Sequence, residues 1–97
     1  MSYDIDIGNE SYNYTYNVSG MWYACYPKNG IKKHIGKTGK EALPILRHLR
    51  EYMEDNREKL LTMNPENGWG DYDGALLFVH ELIQASIRNP DEIWEGD

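Results

Sequence analysis

Apolar and polar residues alternate strictly at the start of the chain. Tyr3, Ile5 and Ile7 are separated by Asp4 and Asp6, the period of a half-buried strand. Gly8-Asn9-Glu10-Ser11 supplies turn chemistry, since Gly and Asn tolerate positive φ. Tyr12, Tyr14, Tyr16 and Val18 then alternate with Asn13, Thr15, Asn17 and Ser19, which predicts a second strand and an antiparallel hairpin. The aromatic run 21–26 reads as a single helical turn, 27–30 as a turn, and 31–35 as a short strand.

The period then changes to that of a helix. Thr38-Gly39-Lys40-Glu41 fits a capping box, and Ala42, Ile45, Leu46, Leu49, Met53 and Leu60 recur mostly at steps of three and four. One helix is predicted from there to about residue 61, kinked at Pro44, whose ring lacks the N–H. Residues 64–70 form a loop. A second helix is predicted over 73–88, capped by Asp71 or Asp73 and stopped at Asn89-Pro90. It is apolar on most sides and therefore belongs in the middle of the fold. The expected class is α+β: one domain over 1–97, with a small antiparallel sheet made from the N-terminal hairpin, packed on two main helices.

Composition narrows this frame. With 97 residues there is material for one core. No run of 18 apolar residues is present, and the first residues lack a signal peptide's basic and apolar regions, so the expectation is a soluble, cytoplasmic protein without a membrane partner. Cys25 is the single cysteine, which excludes an internal disulfide and a cysteine-based zinc site. The net charge of −6 is unevenly spread, at −3 over residues 1–27, +6 over 28–50 and −9 over 51–97. An overall negative field argues against direct nucleic-acid binding.

Little of this carries recognisable catalysis. Gly36-Lys37-Thr38 invites a phosphate-loop reading, but the glycine that motif needs falls on Ile31. A weaker version places an anion at the helix start, held by Lys37, Thr38 and free N–H groups. His34, His48 and His80 show no metal-ligand spacing, and His80, on the apolar helix, reads as a core histidine. Cys25 lies among Trp22, Tyr23, Ala24 and Tyr26, a setting that raises a thiol pKa and suppresses reactivity. No cofactor is implied. Two other features carry binding potential. Glu51, Glu54, Asp55 and Glu58 fall at i, i+3, i+4 and i+7, a stripe for a basic partner if the helix is continuous. If the tyrosines of the second strand face the core, Asn13, Thr15 and Asn17 form a row of amide and hydroxyl groups on the other face.

Several of these segments also resemble a family of small phage and prophage proteins. They are Asn13-Tyr14-Thr15-Tyr16-Asn17, Trp22-Tyr23, Gly30-Ile31, Gly36-Lys37-Thr38-Gly39-Lys40-Glu41 with Pro44, and the ending Pro90-Asp91-Glu92-Ile93-Trp94-Glu95-Gly96-Asp97. The family's usual form is Asn-x-Thr-Tyr-Asn, Gly-x-Thr-Gly-x-Glu and Pro-Asp-x-x-Trp-x-Gly-Asp. Its members tend to carry a tyrosine-tryptophan pair and Gly-Asn-Ala between the helices. Here the stretch reads Gly68-Trp69-Gly70-Asp71-Tyr72-Asp73-Gly74-Ala75, without that asparagine. The resemblance implies a genomic setting more than a mechanism.

The function expected from these features is binding without catalysis. The leading form is a phage accessory protein that inhibits a host protein, an antiviral defence among the candidates, by occupying its surface. Glu51, Glu54, Asp55, Glu58, Trp69 and Trp94 would make that contact. The alternative is an oligomeric module that sequesters a small anionic or nucleotide ligand through Asn13, Thr15, Asn17, Lys37 and Thr38. A small hydrolase using a histidine and a carboxylate is the least supported reading.

Overall fold

A computed structural model describes residues 2–96. The chain opens with a hairpin, β1 (Ser2–Ile7) and β2 (Glu10–Thr15), joined through Gly8 at φ 56 and Asn9. Their register runs without a bulge from Ile7↔Glu10 to Ser2↔Thr15. Paired residues share a face of the sheet. Tyr3, Ile5, Ile7, Tyr12 and Tyr14 therefore point to the core, while Ser2, Asp4, Asn13 and Thr15 lie on the other side. A two-residue β3 (Glu95–Gly96) pairs with β1, giving the antiparallel order β2-β1-β3.

The second strand is shorter than the alternation predicts. Thr15 turns the chain, its Oγ1 accepting from the Asn17 N–H at 3.2 Å, and Tyr16–Val18 form a 3-10 turn leading into α1 (Ser19–Cys25). Tyr16 and Val18 still face inward, so period-two burial continues where the strand does not. The predicted strand at 31–35 is a 3-10 helix, Gly30–His34, entered through Gly30 at φ 57.

The capping box forms as predicted. Thr38 accepts from the Glu41 N–H at 3.2 Å and Glu41 returns to the Thr38 N–H at 3.0 Å, starting α2 (Gly39–Asp55). Pro44 lies inside α2, which runs through it as one helix. The interruption falls at Asn56 instead, whose side-chain amide donates to the Tyr52 carbonyl at 2.9 Å and competes with the helical ladder. A short α3 (Arg57–Leu61) follows. The last helix, α4 (Tyr72–Arg88), is capped by Asp71, which accepts from the Gly74 N–H at 2.7 Å.

α2 packs on α4, and α4 packs in turn on the inner face of the hairpin at β2. Between them lies an aromatic cluster in which Trp22 stands 5.7 Å from Phe78 and 5.5 Å from Tyr3, with Tyr14 stacked on Phe78 at 5.5 Å. The Tyr72 hydroxyl donates to the Met53 carbonyl at 2.7 Å and locks α4 to the end of α2. Gly39 lets the start of α2 touch the end of α4, where a Cβ would collide with the Asn89 and Ser86 carbonyl oxygens. α4 is central, yet Leu77 and Ile87 remain exposed. No helix among the described residues is long and apolar enough to cross a membrane.

Candidate functional site

Three of the predicted ligand residues converge. Asn13 and Thr15 project from the outer face at the end of β2, and Asn17 joins them from the 3-10 turn rather than from the strand. Together with Ser2 and Trp69 they line an open groove of about 480 Å³. Trp69, expected to contact a partner, stands beside the predicted ligand row and is 68% exposed. Its loop is held from both sides. Asn67 Oδ1 accepts from the Trp69 N–H at 3.0 Å, and Asn64 Oδ1 from the Tyr72 N–H at 2.8 Å. Gly70, at φ 88, lets the loop close on the strand, since a Cβ there would come within 2.6 Å of Thr15 Cγ2. A large aromatic is therefore presented to solvent by a pinned loop.

Much of the polar row is already engaged internally. Asn13 Nδ2 donates to Ser2 Oγ (2.9 Å), to the Tyr3 carbonyl (3.1 Å) and to Asp4 Oδ1 (2.7 Å). The Thr15 hydroxyl serves the chain turn. The groove thus offers a ligand the indole, the Asn17 side chain and main-chain groups more than a free row of amides.

Lys37 and Thr38 are not part of it. The helix start where an anion was expected is closed by the chain itself. The Gly39 N–H donates to the Glu92 carbonyl at 2.9 Å, Lys40 to the Pro90 carbonyl at 3.0 Å, Glu41 to Thr38 Oγ1, and Ala42 to the Thr38 carbonyl at 2.8 Å. The Glu41 carboxylate sits where the anion would, its pKa lowered chiefly by the Thr38 N–H. The expectation of free N–H groups is therefore corrected, and with it the anion role of Thr38 and Lys37. This segment instead pins the C-terminal tail. Gly36 donates to the Trp94 carbonyl and Trp94 to the Lys37 carbonyl, each at 2.9 Å.

That pairing also corrects the reading of Trp94, which was placed at a partner surface. It is fully buried, and its Nε1–H donates to Ser86 Oγ at 2.9 Å. The reading of His80 as a core histidine is corrected as well. His80 is exposed and His34 is in the core, edge-on to the Trp94 ring at 5.0 Å. Neither His34 ring nitrogen makes a well-formed hydrogen bond among the described residues. Burial pushes its pKa down to about 4, against a smaller opposing pull from the Ile31 main chain.

The acidic stripe is broken at Asn56. Glu51, Glu54 and Asp55 are exposed on α2, and Glu58 follows on α3. Glu54, Asp55 and Glu58 share a shallow hollow with Arg57 and Lys59, so the negative charge there is locally compensated. Glu54 also belongs to a second surface, with Asp73, Leu77 and His80 beside it. Leu77 continues through Phe78 and Glu81 to Asn13 and Tyr14, which border the Trp69 groove. One continuous surface thus runs from Trp69 along β2 to Leu77, which is 56% exposed. The alternation marked Asn13 and Thr15; Leu77 was passed over because α4 looked apolar all round.

Burial raises the Cys25 thiol pKa, which keeps it protonated and unreactive. Among the described residues no three of His, Cys, Asp and Glu converge as a metal site requires. No family model, curated protein or solved structure matches the chain.

Proposed function

We propose that this chain is an accessory binding protein of phage type that acts by occupying the surface of a host protein, without turnover. The observation that carries this is Trp69, 68% exposed beside an open groove in a loop fixed by Asn67 and Gly70. Large aromatics held in place at the surface dominate interface energetics at small ordering cost. Leu77 extends the apolar contact, and Asp73, Glu81 and Glu54 give its border a negative sign. Affinity capture from host lysate tests this with the wild-type chain and a Trp69→Ala/Leu77→Asp double variant. The wild type retains a stoichiometric partner and the double variant loses it. Equal capture by both would place the contact elsewhere.

Sequestration of a small ligand is the second reading. The groove volume of about 480 Å³ lies within the range of small-molecule sites. Such sites usually bury most of their ligand, whereas this groove is open, and no lysine or arginine lines it. A neutral planar ligand fits it better than the phosphorylated one expected from Lys37. Native mass spectrometry of the purified chain separates the readings: a ligand-sized added mass supports sequestration, a bare chain the protein partner.

A further inference from the structure

We infer that the free edge of β2 receives an extended, basic segment of a partner polypeptide as an added strand of the sheet. This rests on the surface reading above and specifies how that surface is used.

The sheet order leaves β2 with β1 on one side only. A two-residue turn makes Ile7↔Glu10 the closing hydrogen-bonded pair, and the pairs alternate from there. The main-chain groups of Glu10, Tyr12 and Tyr14 therefore serve β1, while those of Ser11 and Asn13 and the Thr15 N–H point outward; the Thr15 carbonyl takes the first bond of the 3-10 turn that Thr15 caps. A second observation agrees. The Asp4 carbonyl oxygen lies on the β3 side, 3.1 Å from where a Cβ on Gly96 would stand. Asp4 is paired with Asn13, so the Asn13 main chain must face away from β1.

Sheet edges are commonly blunted by shortness, a lysine, a proline, a bulge or a covering element. β3 is blunted by being two residues long. β2 is six residues long, its sequence ESYNYT has no lysine or proline and its register is unbulged; the Gly70 loop meets it at Thr15, and grooves run beside it. Trp69 borders one end of the edge, with Leu77 and Phe78 of α4 bordering the other. An added strand would lay alternate side chains against these residues while its main chain bonds to Ser11, Asn13 and Thr15.

Charge selects the occupant. No lysine or arginine lines either groove, and Glu81 lies in one of them. Asp73 lies next to Leu77, and Arg50 on that side pairs with Glu54 at 3.7 Å. Arg88, at the turn end, is held by Glu10. A second copy would bring another net charge of −6 and the same acids to the contact, whereas a lysine- or arginine-bearing strand is attracted.

The test selects binders from random peptides about ten residues long, the upper length of an ordinary strand. Amide hydrogen exchange of the full chain is then followed with the selected peptide. Enriched peptides should be basic with alternating apolar residues, and should slow exchange at Ser11, Asn13 and Thr15 by tenfold or more. Methylating alternate peptide amides should abolish binding. Thr15→Pro removes one outward N–H at φ −71, which proline adopts readily, and should weaken binding about tenfold beyond Thr15→Ala. Failure to select any peptide overturns the inference, as does binding that leaves those amides unprotected. Protection that rises with protein concentration alone would assign the edge to a second copy and overturn it too. Binding that is lost in Trp69→Ala without protection of the edge refutes strand addition alone. Host-partner capture that survives Trp69→Ala/Leu77→Asp refutes the surface reading itself.

Discussion

Two segments of this chain carry the polar residues from which ligand sites are made, and the fold treats them oppositely. Residues 36–41 supply a lysine, a threonine and a helix N-terminus, a combination that favours anions. Their main-chain donors are taken by the tail carbonyls of Pro90, Glu92 and Trp94 and by the cap, and Glu41 provides the negative charge. Residues 11–15 carry a less specific composition, yet the outward main-chain groups of that strand find no neighbouring strand among the described residues. Donor inventory alone therefore does not identify a site. What decides is whether the chain consumes its own donors on folding.

The two tryptophans sharpen that contrast. Trp94→Ala empties a fully buried site and breaks the bond to Ser86, and should cost about 4 kcal/mol in urea unfolding. Trp69→Ala should stay within about 0.5 kcal/mol of wild type and lose partner binding, since the side chain is mostly in water. If Trp69→Ala unfolds the protein, the groove is a structural element and the contrast fails.

Acid should act on the closed side of the molecule. His34 has its folded pKa pushed down to about 4, so the unfolded chain binds its proton more readily. Stability is complete above the unfolded value near 6.5 and falls as pH drops from there to about 4, by on the order of 3 kcal/mol. His34→Leu should flatten that window in pH-dependent unfolding. Glu10 acts in a lower one. Its pKa is depressed to about 2, chiefly by its hydrogen bond from Arg88, so its contribution is present above about 4.5 and is lost as pH falls through 2.

Gly39→Ala should destabilise by about 2 kcal/mol, because main-chain carbonyls occupy the space. Lys37→Ala is the smallest effect expected: less than about 0.5 kcal/mol in stability and no change in binding, because its side chain is exposed and lines neither groove beside β2. Tighter anion binding by the wild type than by this variant would reopen the helix start as a site.

Local signals made much of the fold legible. Period-two alternation located the hairpin, Thr38-x-x-Glu41 located the start of α2, and Asp71 was one of the two caps read for α4, because caps and periods are set by neighbours in sequence. The 3-10 turn after Thr15 was hidden because Tyr16 and Val18 remain buried on the strand's rhythm. The break at Asn56 was hidden because apolar spacing resumes at Leu60. The burial of Trp94 and His34 and the closure of residues 36–41 all depend on the tail reaching back, a contact that no local pattern encodes. Of the site, Asn13, Thr15, Asn17 and Trp69 were visible as residue types. Their meeting depends on Gly70, whose positive φ appears only in the folded loop.

The most direct test captures the host partner side by side with the wild-type chain, Trp69→Ala and Lys37→Ala, with each variant's fold verified by its unfolding midpoint. The account predicts equal capture by wild type and Lys37→Ala, and at least tenfold less by Trp69→Ala, which is about 1.4 kcal/mol. Capture that survives Trp69→Ala and is lost in Lys37→Ala would contradict it and move the functional surface to the start of α2.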